Sequence, residues 1–449
     1  MKAPDEQSPE TVSCGTKQSG EARLAEWGWV EHSVWTERML EALGNGVKGG
    51  VWYSLIDKVW RPATLEAAWR TVRRNGGSAG SDHQSLKHFE RGLGEEIARL
   101  SAELREGTYR PRPIRRVYID KPGSREKRPL GIPCVRDRVV QAAVRLVIEP
   151  IFESGFAPHS YGFRPGRGCK DALREVDRLL RVGCTHVVDA DLKAYFDSIP
   201  HSPLLADIGQ QIADGRMLGL LEGFLKQDIL EGLALWTPEE GSPQGAVISP
   251  LLANLYLHPV DVAMAEAGLE MIRYADDLVV LCRSEAEAQR ALDLLGGLIQ
   301  GRRLSLHPEK TRLVDMRIPG EGFDFLGYHF EGSRRWPRKK SWRKIKEAIR
   351  SKTSRSNGQS LTALIEDVNQ TLRGWFEYFK HSHKWTFSSM DSWVRRRLRS
   401  ILRRRTHHKG VSRGFDHQRW LNAFFRAHGF FSLAETHRAL LLPPRRQNH

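Results

Sequence analysis

Cysteine is scarce in this sequence, and it has no long apolar run. The 449 residues include five cysteines and no Cys-x-x-Cys pair, so neither a disulfide framework nor a zinc knuckle is indicated. The segment from Met1 to Gly20 is polar and lacks the apolar core of a secretion signal, and no other run approaches membrane-spanning length. We therefore expect a cytoplasmic protein with reduced thiols and no membrane partner.

Acidic residues are scarce in the last quarter of the chain. From Arg334 to His449 there are 28 lysines and arginines against 7 aspartates and glutamates, whereas residues 1–333 carry 42 against 47. This localised excess favours a polyanionic partner, because each phosphate that a protein neutralises releases counterions. A solvated helix face or a disordered basic tail is the alternative. Aromatic residues are interleaved with the charge, however, and disordered tails are poor in them.

The spacing of apolar residues predicts mixed helices and strands. From Leu86 to Leu104 the apolar residues recur on one face, which predicts one long amphipathic helix. Several β-rich runs predict short strands, namely residues 115–119, 186–192, 271–274, 278–282 and 323–328. After Trp336 the pattern is helical and basic. These elements predict an α+β core with a mostly antiparallel sheet, followed by an all-α region.

A tight acidic turn joins two of these strands into a predicted hairpin. The turn reads Tyr274-Ala275-Asp276-Asp277. Adjacent carboxylates repel each other, and a divalent cation at the turn would offset that repulsion. A solvated acidic turn is the alternative interpretation, since aspartate is common in turns.

A second acidic stretch strengthens the metal interpretation. Residues 189–197 leave a β-branched strand and contain three carboxylates, of which Asp191 lies at the strand's end. Nucleotidyl transfer uses two metal ions about 3.5–4 Å apart, and carboxylates from two neighbouring strands suit that geometry. We therefore predict two Mg2+ ions, which prefer one or two carboxylates with water and phosphate oxygens; Mn2+ accepts the same ligands.

Further motifs follow one another along the chain in a fixed order. The blocks are Arg128 to Pro133, Asp137 to Gln141, Ser160 to Pro165, Asp189 to Asp197, Gly241 to Asn254, Arg273 to Asp277, Glu309 to Thr311 and Phe325 to Tyr328. With these blocks the chain resembles the reverse transcriptase/maturase proteins encoded by bacterial group II introns. The resemblance extends from about Leu55 to Leu442.

The resemblance implies a right-hand polymerase fold, with fingers, a palm built on an antiparallel sheet and a helical thumb, followed by an α-helical maturase region. It divides the chain into an N-terminal tail and start of an extension (1–54), the rest of the extension with the fingers (55–175), the palm (176–335) and the basic thumb and maturase region (336–449). We expect no endonuclease domain, because the zinc-ligand cysteines that many relatives carry there are missing.

The resemblance also assigns the catalytic residues. Asp191 and Asp276 would ligand both metal ions, with Leu192 at the same metal site, and Asp277 would support them. Phe196 matches the aromatic gate that blocks a 2′ hydroxyl and so selects deoxynucleotides. A lone phenylalanine is more often part of the core, so that alternative stays open.

Nucleotide and RNA contacts are carried over in the same way. Lys121 and Arg128 would grip the incoming triphosphate, although a surface charge pair is an equal alternative for Lys121 on the residues alone. Gln244 would contact the nucleotide, and Lys310 would approach the pyrophosphate. Two arginine runs would lie on helices and contact RNA phosphates: Arg395, Arg396, Arg397, Arg403, Arg404 and Arg405.

The function implied by the resemblance is RNA-directed DNA polymerisation in the bacterial cytoplasm. Such a protein would extend a DNA primer on an RNA template with dNTPs, bind group II intron RNA to assist splicing, and insert the intron at a DNA target during retrohoming. Two alternatives remain: an RNA splicing factor with a vestigial polymerase site, and a domesticated relative in defence or repair. The intact carboxylates Asp191, Asp276 and Asp277 argue against the first of these.

Overall fold

Helices form both ends of the described chain, and strands lie in its middle. The computed structural model describes residues 27–47, 50–120, 127–408 and 414–441. The first six helices of the described residues are α1 (Glu37–Asn45), α2 (Ile56–Val59), α3 (Pro62–Asn75), α4 (Leu86–Arg91), α5 (Leu93–Glu106) and α6 (Val135–Glu153). The strands are β1 (Ile114–Asp120), β2 (Lys127–Ile132), β3 (His186–Asp191), β4 (Ile229–Glu231), β5 (Ala234–Trp236), β6 (Glu270–Tyr274), β7 (Asp277–Cys282), β8 (Arg312–Asp315), β9 (Phe323–Phe325), β10 (Tyr328–Glu331) and β11 (Arg334–Pro337).

Helix α6 is the central helix of the N-terminal part, and most of its residues are buried. Helix α3 packs along it, and the indole of Trp35 donates a hydrogen bond to the carbonyl of Leu146 at 2.9 Å. The predicted single helix from Leu86 to Leu104 was wrong, because α4 ends at Arg91 and α5 begins at Leu93. Gly92 separates them, as expected of a residue that disfavours helix interiors.

The first sheet has the strand order β2-β1-β4-β5. Strands β1 and β2 pair in antiparallel register with Val117 opposite Leu130, whereas β1 and β4 run parallel. The strand predicted at residues 115–119 is confirmed as the larger part of β1. Strand β2 contacts the loop that precedes helix α10 (Ser249–Glu266), since Gly131 N donates to Gln244 O at 2.7 Å.

The central sheet has the order β6-β7-β3-β8, and all of its pairs are antiparallel. The predicted hairpin is confirmed as β6 and β7. Successive side chains alternate between two apolar cores: Val187 and Val279 belong to one, and Val188 and Val280 to the other. Burial on both faces explains why these strands read as nearly continuous apolar runs. Three helices pack on this sheet: α7 (Cys169–Arg181), α10 and α11 (Glu285–Gly301).

A small third sheet, ordered β11-β10-β9, follows the central one. The single strand predicted at residues 323–328 was wrong. Strand β9 ends at Phe325, and the chain reverses at Leu326 and Gly327, which both have positive φ, before β10 begins at Tyr328. The reversal lets Phe323 and Phe330 stack with ring centroids 4.9 Å apart.

The C-terminal part is helical, as predicted, and has its own apolar core. Its helices are α12 (Lys339–Lys352), α13 (Leu361–Phe379), α14 (Trp385–Arg405), α15 (Gly414–Arg419), α16 (Asn422–Ala427) and α17 (Leu433–Leu441). Earlier in the chain, α8 (His201–Gly209) and α9 (Gly215–Leu225) lie between β3 and β4. Of the helices in the described ranges, none is long and apolar enough to cross a membrane. The α+β fold class is confirmed, and the four-part domain division stays a prediction.

A buried carboxylate joins the N-terminal helices to the first sheet. Asp137 of α6 is fully buried and accepts hydrogen bonds from the Tyr109 hydroxyl at 2.7 Å and from Arg112 N at 3.0 Å. Burial outweighs these donors and raises the pKa of Asp137 from 3.8 to about 6. The folded protein therefore binds this proton more tightly than the unfolded chain does.

The pH dependence of stability tests this arrangement. The pKa of Asp137 is higher in the folded protein than in the unfolded chain. The stability that its protonated carboxyl contributes is therefore fully present below pH 3.8 and is lost as the pH rises to about 6. We expect the free energy of unfolding of wild type to fall by roughly 2–3 kcal/mol more than that of Asp137→Asn across this window. Urea unfolding of both proteins from pH 4 to 7 measures the difference, and parallel curves would contradict the prediction.

Candidate active site

The central sheet brings the predicted carboxylates together at one end. Asp191 is the last residue of β3 and lies opposite Asp277, the first residue of β7. Asp276 lies in the turn between β6 and β7, after Ala275, whose φ is +59°. The three carboxylates predicted to be catalytic therefore lie at the same end of the sheet.

A buried guanidinium holds this turn in place. Arg273 is 1% exposed, and its Nη1 donates to the carbonyl of Ala275 at 2.9 Å and to Asn254 Oδ1 at 2.9 Å. Its Nη2 donates to Ser160 Oγ at 2.8 Å, and its Nε donates to Asp261 Oδ1 at 2.7 Å. Three of the sequence motifs thus meet at one side chain.

Sequence reasoning missed this network. Ser160, Asn254 and Arg273 each stood in a motif block, which was the available signal, but no block pointed to the others. Asp261, the counter-charge of Arg273, lies outside every motif and carries no signal in the sequence.

Burial raises the pKa of Asp276, Asp277 and Asp189, and neighbouring carboxylates add to each shift. Burial, and then the nearby charge of Asp191, raise the pKa of Asp276. Burial is the largest cause at Asp277 as well and raises its pKa to about 7, with Asp276 and Asp189 adding to the shift. The pKa of Asp189 is raised to about 6, again mainly by burial. The strands therefore force negative charges together where solvent screens them poorly.

A lysine partly compensates this charge. Lys310 Nζ lies 2.7 Å from Asp191 Oδ2, and both side chains remain substantially exposed. A cation already lies against the carboxylate that the resemblance assigns to the metals. Two carboxylates from adjacent strands, with an open side for water and phosphate, are also the donor set that Mg2+ takes. The residues present therefore fit a divalent cation site.

Leu192 follows β3 directly and is 4% exposed. Its neighbours are fixed, because His307 N donates to Asp191 O at 2.7 Å and Lys193 N donates to Ser305 O at 2.9 Å. The side chain of Leu192 packs in the core, so only its backbone carbonyl could face a metal ion. Its assignment to the metal site stays a prediction.

The predicted nucleotide-binding residues lie on the side of the site towards β3 and the first sheet. Gln244 donates to Asp197 Oδ2 at 3.4 Å. Burial raises the pKa of both Asp197 and Asp276, and the charge of Arg128 opposes that rise at each of them. Phe196 is half-buried, with its ring 5.6 Å from that of Tyr195. Lys121 lies outside the described residues.

Glycine makes possible the contact between strand β2 and the loop that precedes α10. Gly245 has a φ of +108°, and a Cβ there would lie 2.5 Å from the carbonyl oxygen of Gly131. The loop that carries Gln244 is therefore packed backbone against backbone on β2.

The six predicted RNA-binding arginines all lie on α14, but their surroundings differ. Arg397 Nη2 donates to the carbonyl of Thr353 at 2.9 Å, and Arg403 Nη1 pairs with Asp416 at 3.0 Å. Arg395 is mostly buried near Asp391, at 3.8 Å. Arg396 and Arg404 have exposed side chains, and so does Arg405, which donates to the carbonyls of Asn357 and Gln359.

An open groove between α12 and α14 combines basic and aromatic side chains. Trp342 and Trp385 stack in parallel at 6.3 Å, and Lys346 Nζ lies 5.2 Å from the Trp342 ring. The groove has a volume of about 650 Å3, and its lining also includes Lys339, Arg343 and Arg350. Cationic and aromatic groups in alternation suit a nucleic acid, whose phosphates and bases they contact.

Two protein families match this chain. The reverse transcriptase (RNA-dependent DNA polymerase) family matches residues 119–330, and the group II intron, maturase-specific domain matches residues 342–420. The central sheet with its carboxylates lies in the first match, and helices α12 to α14 lie mostly in the second.

Curated relatives agree with these matches. Protein YkfC of Escherichia coli (strain K12) is 31% identical over 390 residues, covering 77% of this chain and 96% of that protein. Group II intron-encoded protein LtrA of Lactococcus lactis subsp. cremoris is 37% identical over 220 residues, covering 49% of this chain and 36% of that protein. An uncharacterized 91 kDa protein in the cob intron of Schizosaccharomyces pombe is 41% identical over 165 residues, covering 37% and 20%.

The chain therefore belongs to the reverse transcriptase family, and within it to the group II intron reverse transcriptase/maturase proteins, which confirms the resemblance seen in the sequence. The match spans about a third of the length of LtrA.

The buried ion pair of Arg273 gives a stability prediction. We expect Asp261→Asn to lower the free energy of unfolding by about 3–5 kcal/mol, because it leaves a buried guanidinium without its counter-charge. Urea unfolding measures the loss. The matched control is Glu222→Gln, which breaks the exposed pair with Lys226 and should change stability far less. Equal effects of the two substitutions would contradict the role given to Arg273.

Proposed function

We propose that this chain is an RNA-directed DNA polymerase that also binds group II intron RNA. The observation that supports the polymerase is the meeting of Asp191 and Asp276 at the ends of neighbouring strands, where burial raises the pKa of Asp276 and a lysine lies against Asp191. Such a site is built to take up cationic charge. Family membership makes nucleotidyl transfer the chemistry that fits it best.

Two Mg2+ ions, or Mn2+ in their place, would be held by the oxygens of Asp191 and Asp276, and the Leu192 carbonyl is the predicted third donor. When bound, the ions would supply the positive charge that activates a 3′ hydroxyl and neutralises a triphosphate. Asp277 would keep Asp276 in position from the start of β7. Lys310 would leave Asp191 and turn its ammonium group towards the phosphates.

The incoming dNTP would lie between the carboxylates and the first sheet. Arg128 would contribute charge to the triphosphate, as Lys121 would from the neighbouring segment. Gln244, held by the loop packed on β2, would contact the nucleotide, and Phe196 would close the space beside its sugar. The duplex partner would be an RNA template with a DNA primer.

The C-terminal helices would bind the intron RNA. Among the six arginines of α14, Arg396 and Arg404 have the exposed side chains best suited to phosphate contacts. Arg397 and Arg403 hold neighbouring segments together, and Arg395 lies against Asp391 of its own helix. The groove with Trp342 and Trp385 would add base or ribose contacts. Binding there would assist splicing, and the polymerase would then copy the intron at a DNA target in a bacterial cell.

Primer extension tests the polymerase. With Mg2+, dTTP and an oligo(dT) primer on poly(rA), we expect extension by wild type and a loss of at least about 100-fold in Asp276→Asn, because the amide removes a ligand charge. Asp293→Asn, the same change on the exposed face of α11, should match wild type. If wild type fails to extend while it binds structured RNA tightly, the splicing-factor alternative gains and the polymerase proposal is wrong.

The salt dependence of RNA binding tests the basic helices. We expect the double variant Arg396→Gln, Arg404→Gln to lower the slope of log K against log salt by about 1–2, since each phosphate contact contributes about one counterion. Binding of a structured intron RNA is measured from 50 to 200 mM salt. Arg174→Gln, on the exposed face of α7, is the matched control. An unchanged slope in the double variant would place the RNA elsewhere.

A further inference from the structure

Phe163 has an unusual backbone conformation and lies near the turn that carries Asp276. Its φ is +59°, and its side chain is 44% exposed. Positive φ is a true outlier for a bulky residue, and such conformations persist only when the surrounding structure imposes them. Nothing in the metal or nucleotide assignments accounts for Phe163.

The backbone before Phe163 is pressed against the catalytic turn. A Cβ on Gly162 would lie 2.3 Å from the backbone nitrogen of Ala275, so only glycine allows this approach. Asn254 Nδ2, part of the Arg273 network, donates to the carbonyl of Gly162 at 2.7 Å. Residue 162 is therefore fixed to the turn that carries Asp276.

The backbone after Phe163 is fixed as firmly. The guanidinium of Arg164 is buried, and its Nε lies 2.9 and 3.1 Å from the two carboxylate oxygens of Glu153. Its Nη1 donates to the carbonyls of Ala157 at 2.7 Å and Ser160 at 2.8 Å. With both neighbours held, the chain leaves the ring of Phe163 in solvent, although burying it would be favourable.

The position of the ring indicates what it contacts. The segment before it extends the central sheet beyond β6, because Tyr161 N donates to Arg273 O at 2.9 Å, and the Phe163 ring lies 6.3 Å from that of Tyr274. Lys310 and Gln244, which would contact the incoming nucleotide, lie against Asp191 at the end of β3 and Asp197 just after it, whereas β6 lies on the far side of β7. In phosphoryl transfer the attacking and leaving oxygens are roughly in line, so the attacking 3′ end approaches from the side away from the pyrophosphate.

We propose that Phe163 is a primer contact, whose ring packs against the sugar or base of the last nucleotides of the growing strand beside the catalytic turn. This inference rests on the proposed polymerase function and adds a residue to it. Aromatic rings suit this task, because every nucleotide presents a stacking face whatever its sequence. The fixed, strained backbone would hold the ring in one position relative to the turn.

Steady-state primer extension separates this role from the others. We expect Phe163→Ala to raise the KM for the primer–template duplex roughly tenfold, since loss of one stacking contact has effects of that order. The kcat at saturating duplex and the KM for dTTP should stay close to wild type. Phe163→Tyr should restore the duplex KM. Tyr53→Ala, which removes an exposed ring elsewhere, is the matched control and should behave as wild type.

A glycine variant separates a lost contact from a damaged fold. Phe163→Gly also removes the ring but adopts positive φ without strain, so its Tm should exceed that of Phe163→Ala while its duplex KM is raised equally. If the KM follows the Tm instead, or if Phe163→Ala extends primers with a wild-type duplex KM, the inference is wrong and the polymerase proposal still stands. If wild type itself does not extend primers, the polymerase proposal is wrong. The affinity of each protein for the primer–template duplex, measured by fluorescence anisotropy, then tests Phe163 separately. Equal affinity of wild type and Phe163→Ala would overturn the primer contact.

Discussion

The buried guanidinium of Arg273 is the interaction on which the rest of the site depends. It takes the charge of Asp261 and the oxygens of Ser160, Asn254 and Ala275, and so joins the segment before Phe163, helix α10 and the turn after β6. Burying a charge is costly unless every donor is used. A planar guanidinium with fixed donor directions meets that condition, whereas a lysine ammonium could not reach the same set of acceptors. The turn that carries Asp276 is therefore held in one arrangement.

This arrangement places like charges together at the expense of stability. The raised pKa values of Asp276, Asp277 and Asp189 show that burial opposes their ionisation. A sequence selected for stability alone would not keep acidic residues at the ends of two buried strands. Conflict between local stability and charge is typical of functional sites, where the conflict is relieved only when a ligand binds. Lys310 relieves part of it through its contact with Asp191.

The sequence predicted what depends on periodicity and missed what depends on distant contacts. The hairpin of β6 and β7 followed from apolar runs around an acidic turn, and both strands lie where they were predicted. The breaks at Gly92 and at Leu326-Gly327 were missed, because one or two residues there override an otherwise continuous apolar pattern. Asp261 could not be found from the sequence, since its importance comes from a partner twelve residues away that is brought to it by the fold. Likewise, the sequence shows that the arginine runs of α14 are charged but not which side chains are exposed. Sequence alone therefore could not distinguish the exposed Arg396 from Arg397, which is bonded within the fold.

The contact between Gly131 and Gly245 has a consequence for motion. Strand β2 and the loop that carries Gln244 touch through backbone atoms and share the hydrogen bond from Gly131 N to Gln244 O. If the first sheet rotates towards the carboxylates when a substrate enters, this loop must travel with it as one rigid body. Such a movement would have to strain the hydrogen bonds that tie the same loop to the residues after β3, from Gly241 N to Ile199 O at 2.8 Å and from Ser242 N to Phe196 O at 2.7 Å.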